Sequence, residues 1–534
     1  MPDHVQLLRS PEEDGSPSSE SDSSWIAEAD DVQLGKALLE KPILHSRRPS
    51  FETPQFKWPC LRPLQRKLRL AGLGLLPSFV SLRIVGRKPE SKNSQNVASL
   101  DGLRGVACLL VFNQHFSFNY SQKFLKGWDG EDRRWIIQLP IIRLLWAGDA
   151  MVAIFFVISG YVLSYKLLKQ MHSNSDQVFR TLNSAIVRRG IRLYLPNFIA
   201  TFMCMLLVQA GAFEAGRKAY KDGWSLLSAH EDPPHRFDTF AEQFWHWWET
   251  AVLKPLYPWT WQDTWQNYDP HLWTIPTEFR CSMLLFLVQC GVSRLRLAFR
   301  VAVLAIAVFY SAFTDAEQIT LFLVGMLMAQ IDVIKRSRAD TRSWPPFASS
   351  KDMESKSGCR KRIIWIATFV AGLYLASTPS VSAEDSTGYV YLVNELVPEG
   401  YRTHHYFWQS IGAVTIVYSA SHSEDIKPIF TNSFAQYLGK ISYALYIVHG
   451  NILRSVLYGI MPTIREMCGN MESDFGFVLA WLMGACVIVP MSFWAADLFW
   501  RLVDMPCVKF ARWVEQRVSE EDKPSGRRRD LLIA

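Results

Sequence analysis

The sequence predicts an all-α integral membrane protein in which about ten transmembrane helices form one bundle. Two observations predict this class: 49% of the 534 residues are hydrophobic, and many apolar runs approach or exceed the length of a membrane-spanning helix. Such a helix needs about 17–25 mostly apolar residues. Clusters of Lys and Arg between the runs are a third indication, because they determine orientation in a bilayer. Chain length alone would suggest several soluble domains, but the apolar runs exclude that interpretation.

The composition divides the chain into four parts. Residues 1–55 are rich in Ser, Pro, Asp and Glu without an apolar signal-peptide core, which predicts a disordered cytoplasmic tail. Residues 56–96 form a basic juxtamembrane segment, whose short apolar stretch is expected to lie at the membrane interface. Residues 97–512 form the transmembrane domain. Residues 513–534 are predicted to be a basic cytoplasmic tail.

The apolar runs define ten predicted spans: 102–118, 144–166, 190–212, 272–292, 297–314, 318–334, 363–379, 406–421, 434–458 and 476–500. A cytoplasmic N-terminus places the basic 335–362 loop and the C-terminal Arg-Arg-Arg in the cytoplasm, and the acidic 380–405 loop on the opposite face. Both termini are therefore expected in the cytoplasm. The sequon Asn119-Tyr120-Ser121 falls on the opposite face, in weak agreement. The expected location is the plasma membrane or an endomembrane such as the ER or Golgi.

Charge and cysteine usage exclude other classes. The net charge of +7 comes from Lys and Arg beside apolar runs, so it does not indicate nucleic-acid binding. The nine cysteines are scattered, with no CxxC and no Cys/His cluster, so the sequence predicts neither a metal site nor a disulfide framework. The long 213–271 connection is crowded with aromatic residues, which are typical of an interfacial belt. A lid or an acceptor-binding surface is the alternative.

Arg104 and His115 form the strongest polar pair in the first span. They are eleven residues apart, which at about 100° per residue brings them to within roughly 20° of the same helix face. The helical rise separates them by about 16 Å along the axis, with Arg104 nearer the cytoplasm. A snorkelling Arg and a buried, hydrogen-bonded His are the alternatives. Together, the pair suits a guanidinium that binds phosphate and an imidazole that takes a proton.

Six blocks in order resemble the membrane-bound acyltransferase-3 family across roughly residues 97–512. Its mark is an Arg separated by ten residues from a His, as in LDGLRGVACLLVFNQHF. The other five are IFFVISGYVL at 154–163, RRGIRLYLP at 188–196, LWTIPTEFR at 272–280, LGKISYALYIVHG at 438–450 and DLFWRLVDMP at 497–506. The acid-rich tail and Trp-rich loops look more like fungal members than bacterial ones.

The resemblance implies transfer of an acyl group, often acetyl, from acyl-CoA to a hydroxyl on a glycan, lipid or metabolite. It carries His115 over as the catalytic histidine, Arg104 as its motif partner and Glu278 as the acid of the LW block. Glu278 needs a basic partner from another span, and it either orients His115, binds the acceptor or forms a structural ion pair. Many members have an acid just before the FF pair, at the position where this chain has Ala153, with Asp149 one turn earlier.

Further polar residues support or compete with this assignment. Arg188, Arg189 and Arg192 are topology determinants that could also attract the phosphates of CoA. Ser442, Tyr446 and His449 share one helix face at i, i+4 and i+7. For His449, packing is the alternative to a place in the site.

The sequence thus predicts direct acyl transfer with His115 as general base, with acyl-CoA, the acceptor and the bilayer as partners and no metal. No Cys or Ser has a sequence setting that marks it as a nucleophile. A ten-span transporter or lipid-flipping protein is the alternative class, but the chain shows no internal repeat and that class leaves the Arg–His pair unexplained. A receptor or scaffold built on a degenerate acyltransferase fold is the third class of protein considered.

Overall fold

The computed structural model describes residues 95–131, 133–221, 233–257, 266–342, 351–399, 401 and 403–519. Within these ranges the chain is helical and contains no β-strand; its one isolated bridge joins Lys126 to Val381. The predicted N-terminal tail, most of the juxtamembrane segment and the end of the C-terminal tail lie outside the described residues. The all-α class predicted from the sequence is confirmed.

Ten helices occupy the positions of the ten predicted spans. They are α1 (Gln95–Phe118), α2 (Gly148–His172), α3 (Val178–Gln209), α4 (Thr274–Val292), α5 (Leu297–Phe313), α6 (Glu317–Arg342), α7 (Lys351–Ala376), α8 (His404–His422), α9 (Ser433–Ile452) and α10 (Asp474–Phe499). Several run beyond the apolar segment that predicted them. In α3 the helix already begins at Val178, because the Arg-rich turns before the apolar run are helical too.

Six stretches within the described residues are long and apolar enough to cross a membrane: Gly148–His172, Val178–Gln209, Pro270–Val292, Glu317–Arg338, Ser433–Met467 and Asp474–Val518. Helix α5 is apolar but shorter. The protein is therefore a multi-pass membrane protein. Spans at α1, α5, α7 and α8, the total of ten and the cytoplasmic termini stay predictions.

Shorter helical elements connect the long ones. The α-helical pieces are Glu214–Lys221, Phe240–Trp247, Lys254–Leu256, Val390–Glu395, Lys427–Thr431, Tyr458–Met467 and Met505–Val518. The 3₁₀ turns are Gln122–Phe124, Ile136–Gln138, Ile142–Trp146, Pro270–Trp273 and Gly469–Met471, and the π-helical turns are Trp248–Leu253, Leu453–Leu457 and Trp500–Asp504. Part of the aromatic 213–271 connection thus folds into helix, whereas its Trp259–Trp261 stretch lies outside the described residues.

Side-chain caps explain where several helices begin. The Asn432 side chain accepts hydrogen bonds from the first free backbone N–H groups of α9, and Ser473 does the same for α10. Asp269 caps the 3₁₀ turn that leads into α4 by accepting from the backbone of His271. Each cap satisfies donors that the helix itself leaves unpaired.

Helix α1 lies against α9, α2 and α8, and its polar residues Arg104 and His115 are half-buried. The α1–α9 contact is close: Cys108 Sγ donates to the Ser442 carbonyl at 3.0 Å, and Arg104 donates to the Gly439 carbonyl at 3.0 Å. Small residues allow such approach between membrane helices. The α1–α9 contact thereby brings the Arg-x₁₀-His segment against the block that contains His449.

Helices α2 and α6 cross at Gly160 and Gly325, where a Cβ on either residue would overlap backbone of the other helix. We expect Gly160→Val to lower the free energy of unfolding by about 1–3 kcal/mol, because the helices must separate to admit the side chain. Thermal unfolding of the purified chain in detergent measures this. Gly291→Val is the matched control, since nothing lies within 4 Å of a Cβ there. Equal losses in both variants would contradict the packing argument.

Candidate active site

Three histidines from distant parts of the chain meet in one cluster. His115 lies near the end of α1, His271 in the 3₁₀ turn before α4, and His449 in α9. Their ring centroids are 4.1 Å apart for His115 and His271, 4.8 Å for His271 and His449, and 5.4 Å for His115 and His449. His271 and His449 are buried and His115 is half-buried. The predicted catalytic histidine therefore lies in contact with two other imidazoles.

Asp269 holds His271 in place from the same 3₁₀ turn. Its Oδ1 lies 2.8 Å from His271 Nδ1, and the carboxylate is fully buried. Because a carboxylate only accepts, Nδ1 of His271 carries the proton and Nε2 presents its lone pair. Gly450 of α9 allows this approach, since a Cβ there would lie 2.5 Å from His271 Nδ1 and 2.6 Å from Asp269 Oδ1.

Arg454 compensates the buried charge of Asp269. It lies in the π-helical turn after α9, is fully buried, and places a guanidinium nitrogen 3.6 Å from Asp269 Oδ1. The same nitrogen donates to the Tyr268 carbonyl at 2.5 Å. Burial raises the pKa of Asp269, but Arg454 and His271 outweigh it and hold the pKa below its usual value. Asp269 is therefore an ionised carboxylate that orients His271.

The contacts of His449 also define which ring nitrogen presents its lone pair to the cluster. Nδ1 lies 2.7 Å from the Tyr446 carbonyl and 3.1 Å from the Leu445 carbonyl, so it is the protonated nitrogen. Nε2 is buried without a hydrogen-bond partner among the described residues. The Tyr446 hydroxyl donates a hydrogen bond to the His271 carbonyl, and it lies 2.6 Å from Thr274 Oγ1. The predicted Tyr446–His449 face of α9 thus lines the cluster.

Asn119 of the sequon fixes the end of α1. Its side chain is 2% exposed, donates from Nδ2 to the His115 carbonyl at 2.6 Å and accepts from the Tyr458 hydroxyl at 2.7 Å. A buried, doubly bonded amide is not a glycosylation acceptor on the folded chain. The agreement of the sequon with the predicted topology therefore carries no weight.

Arg104 lies at the far end of α1 among the other predicted basic residues. It pairs with Asp101 at 3.3 Å, and its side chain is 42% exposed. Arg192 interacts electrostatically with Arg104, Arg188 and Arg189, and with the carboxylate of Asp504. We call Arg104, Arg188, Arg189 and Arg192 the arginine cluster. The structure brings all of the predicted phosphate-binding arginines to one end of α1.

Glu278 pairs with a basic residue from another span, as predicted. Its Oε1 lies 2.5 Å from a guanidinium nitrogen of Arg189 and accepts from Ser159 Oγ at 2.6 Å. Arg189 also donates to Ser282 Oγ at 3.0 Å. These contacts favour the ion-pair alternative. A catalytic role for Glu278 stays a prediction.

At position 153, where many family members have an acidic residue, the structure provides no carboxylate. Ala153 is buried, and Asp149, one turn earlier in α2, accepts a hydrogen bond from Ser380 Oγ at 2.6 Å. The structure adds to the site Asp269, His271 and Arg454, which the sequence patterns described above do not include. Only an Asp two residues before a His, next to the LW block, could have indicated the first two.

The described residues thus place three histidines near one end of α1 and the arginine cluster near the other. The sequence model of a family described as an acyltransferase domain matches residues 97–501. The chain therefore belongs to the membrane-bound acyltransferase-3 family and is a transferase.

Three fungal proteins are similar to the chain over most of its length. O-acetyltransferase PaAT-1 of Phomopsis amygdali is 31% identical over 85% of this chain and 91% of its own length. Acyltransferase R4 of a Phoma species is 26% identical, and acyltransferase clz18 of Cochliobolus lunatus is 24% identical, each over 79% of this chain and 96% of its own. No solved structure matches the chain.

Proposed function

We propose that the protein is an O-acyltransferase that moves an acyl group, acetyl in the first instance, from acyl-CoA to a hydroxyl, with His115 as general base. The observation that carries the proposal is the contact of His115 with His271, which Asp269 orients from a buried position. A histidine that must accept and return a proton is assisted by neighbours that fix its surroundings. The name of the relative PaAT-1 supports an oxygen acceptor and an acetyl donor.

The arginine cluster is suited to the nucleotide of acyl-CoA. Three of its members have carboxylate partners: Arg104 pairs with Asp101 at 3.3 Å, Arg188 with Glu515 at 3.2 Å, and Arg189 with Glu278. Arg104 and Arg192 add positive charge to that surface, with Asp504 and Asp101 as the acids nearby. Guanidinium groups bind phosphates through paired, charge-assisted hydrogen bonds. The phosphates would bind here while the thioester arm follows α1 over about 16 Å to His115.

The reaction we propose is direct and balanced. The acceptor hydroxyl gives its proton to His115, and its oxygen attacks the thioester carbonyl. The tetrahedral intermediate collapses with cleavage of the C–S bond, and the CoA thiolate takes the proton back from His115. The ester remains on the acceptor. Cys108, which faces α9 from the same helix, uses its thiol in a hydrogen bond to Ser442 and is not proposed as a nucleophile.

His271 and Asp269 would stabilise the charged intermediate state. When His115 gains a proton, a neighbouring neutral imidazole and a buried carboxylate lower the free energy of the cation. Donor binding at the arginine cluster suits a cytoplasmic source of acyl-CoA under the predicted topology. The acceptor would then be embedded in the membrane or presented from the opposite face.

Labelled acetyl-CoA tests the function directly. We expect the purified chain in detergent to release CoA only when extract fractions supply an acceptor, and one extract component to gain the mass of one acetyl group. Arg104→Gln should raise the KM for acetyl-CoA about tenfold with a smaller change in kcat, because a charge-assisted phosphate contact is lost. Release of CoA without an acceptor, or no release with any fraction, would contradict the proposal.

Arg133→Gln is the matched control for Arg104→Gln. Arg133 is also paired with a neighbouring Asp, Asp129 at 2.6 Å, but lies outside the arginine cluster. Its replacement should leave the KM for acetyl-CoA unchanged. Equal effects of the two substitutions would show that Arg104 does not contact the donor.

A further inference from the structure

We propose that His115, His271 and His449 bind one divalent transition-metal ion, with Zn²⁺ the best match, and that the ion prevents acyl transfer while it is bound. The second half of this proposal rests on the proposed function of His115, whereas the binding itself does not. The sequence predicts no metal site because the three residues are far apart along the chain. Only the fold brings them together.

The distances suit one ion after small side-chain movements. The metal-ligating nitrogens of the three histidines all lie within 4.8 Å of one another. Zinc binds imidazole nitrogen at about 2.0–2.1 Å, which puts two ligands of a tetrahedral site roughly 3.4 Å apart. The separations exceed that spacing by at most about 1.4 Å, so binding one ion requires small movements of the rings, for which the half-buried His115 has the most room.

Contacts outside the cluster already orient two of the ligands. Nδ1 of His271 is bound to Asp269, and Nδ1 of His449 is bound to the Tyr446 carbonyl, so both rings present Nε2 with its lone pair. Metal-bound histidines almost always use their second nitrogen in this way, toward a carboxylate or a backbone carbonyl. Nε2 of His449 is buried with no hydrogen-bond partner among the described residues, a costly state that a metal ion would relieve.

The ligand set selects the kind of ion. Neutral imidazoles suit zinc, copper, nickel and iron, whereas calcium and magnesium need carboxylate or carbonyl oxygens. Three histidines leave a fourth position for water or an acceptor oxygen. Zn²⁺ is therefore the probe of choice, and Mg²⁺ is the matched ion that should not bind.

Zinc binding and general-base catalysis compete, because both use a lone pair on a ring nitrogen of His115. A nitrogen of His115 that coordinates zinc cannot at the same time accept a proton from a hydroxyl. Zinc should therefore inhibit acetyl transfer at concentrations that fill the site. A chelator such as EDTA should restore the activity.

The binding experiment uses the full chain in detergent, exposed to ZnCl₂ or MgCl₂ and then passed through a desalting column before its metal content is measured. We expect the native chain to retain about one zinc ion and no magnesium. His449→Gln and His271→Gln should each lower zinc affinity about 100-fold or more, because one ligand is lost. His422→Gln is the matched control, since His422 pairs with Asp332 at 2.7 Å outside the cluster.

The outcomes separate the two parts of the proposal. The proposed site is wrong if the native chain retains no zinc, or if His449→Gln and His271→Gln retain as much zinc as the native chain does. This holds whether or not the chain transfers acetyl groups. Zinc retained without inhibition of transfer overturns the competition at His115. Elution of each variant as a single species in gel filtration shows that lost binding is not lost folding, and X-ray absorption showing imidazole ligands on the bound zinc supports the assignment.

Discussion

His115→Ala should lower the rate of acetyl transfer by about 10²–10⁴-fold, the usual contribution of a general base. The fall should appear mainly in kcat, because the arginine cluster that binds acetyl-CoA lies at the other end of α1. Release of CoA from saturating acetyl-CoA, measured with an acceptor fraction from the extract screen, gives kcat directly. Of all the single substitutions considered, we expect this one to affect catalysis most.

A second histidine substitution controls for general damage. His422→Ala removes a histidine that is also held by a carboxylate, Asp332, in a separate polar contact. It should keep most of the transfer activity. The His115→Ala variant must be inserted correctly and unfold at the same temperature as the unsubstituted protein. Normal turnover by such a variant would rule out the general-base assignment.

Asp269→Ala should have the largest effect on stability. It leaves the guanidinium of Arg454 buried and without its nearest carboxylate, and breaking a buried ion pair from one side costs about 3–5 kcal/mol. Thermal unfolding in detergent should show a clear fall in the midpoint. Asp129→Ala, which breaks an ion pair outside the core, should cause a much smaller change. Equal shifts would mean that the Asp269–Arg454 pair contributes little.

A conservative substitution separates the structural role of Asp269 from its effect on His271. Asp269→Asn keeps the shape but loses the negative charge that fixes the Nδ1–H tautomer of His271. In chains that remain folded, we expect a lower kcat with little change in the KM for acetyl-CoA. An unchanged kcat would show that Asp269 serves stability alone.

The sequence predicted the helices well because bilayer spanning leaves a strong local signal. Apolar runs of sufficient length marked all ten long helices, although the charged helical turns before Gly190 in α3 gave no such signal. The bundle arrangement and the number of spans depend on contacts between helices, which run lengths do not contain.

Sequence periodicity predicts which candidate residues share a helix face, but not which residues of different helices come into contact. Arg104 and His115 follow from helical periodicity, and so does the face of α9 that includes His449. The contact of His271 with His115 joins residues that are distant along the chain, so no local pattern encodes it. Glu278 was predicted to need a basic partner because charge in an apolar span is costly, but only the fold identifies Arg189.

The buried sequon has a practical consequence for any host cell that glycosylates secretory proteins. Because the Asn119 amide is bonded to the backbone of His115 and to Tyr458, a glycan at this position and an assembled histidine cluster exclude each other. Chains that receive the sugar must have done so before α1 packed. The fraction of chains with retarded gel mobility would then count the molecules that never built the site, without any assay of activity.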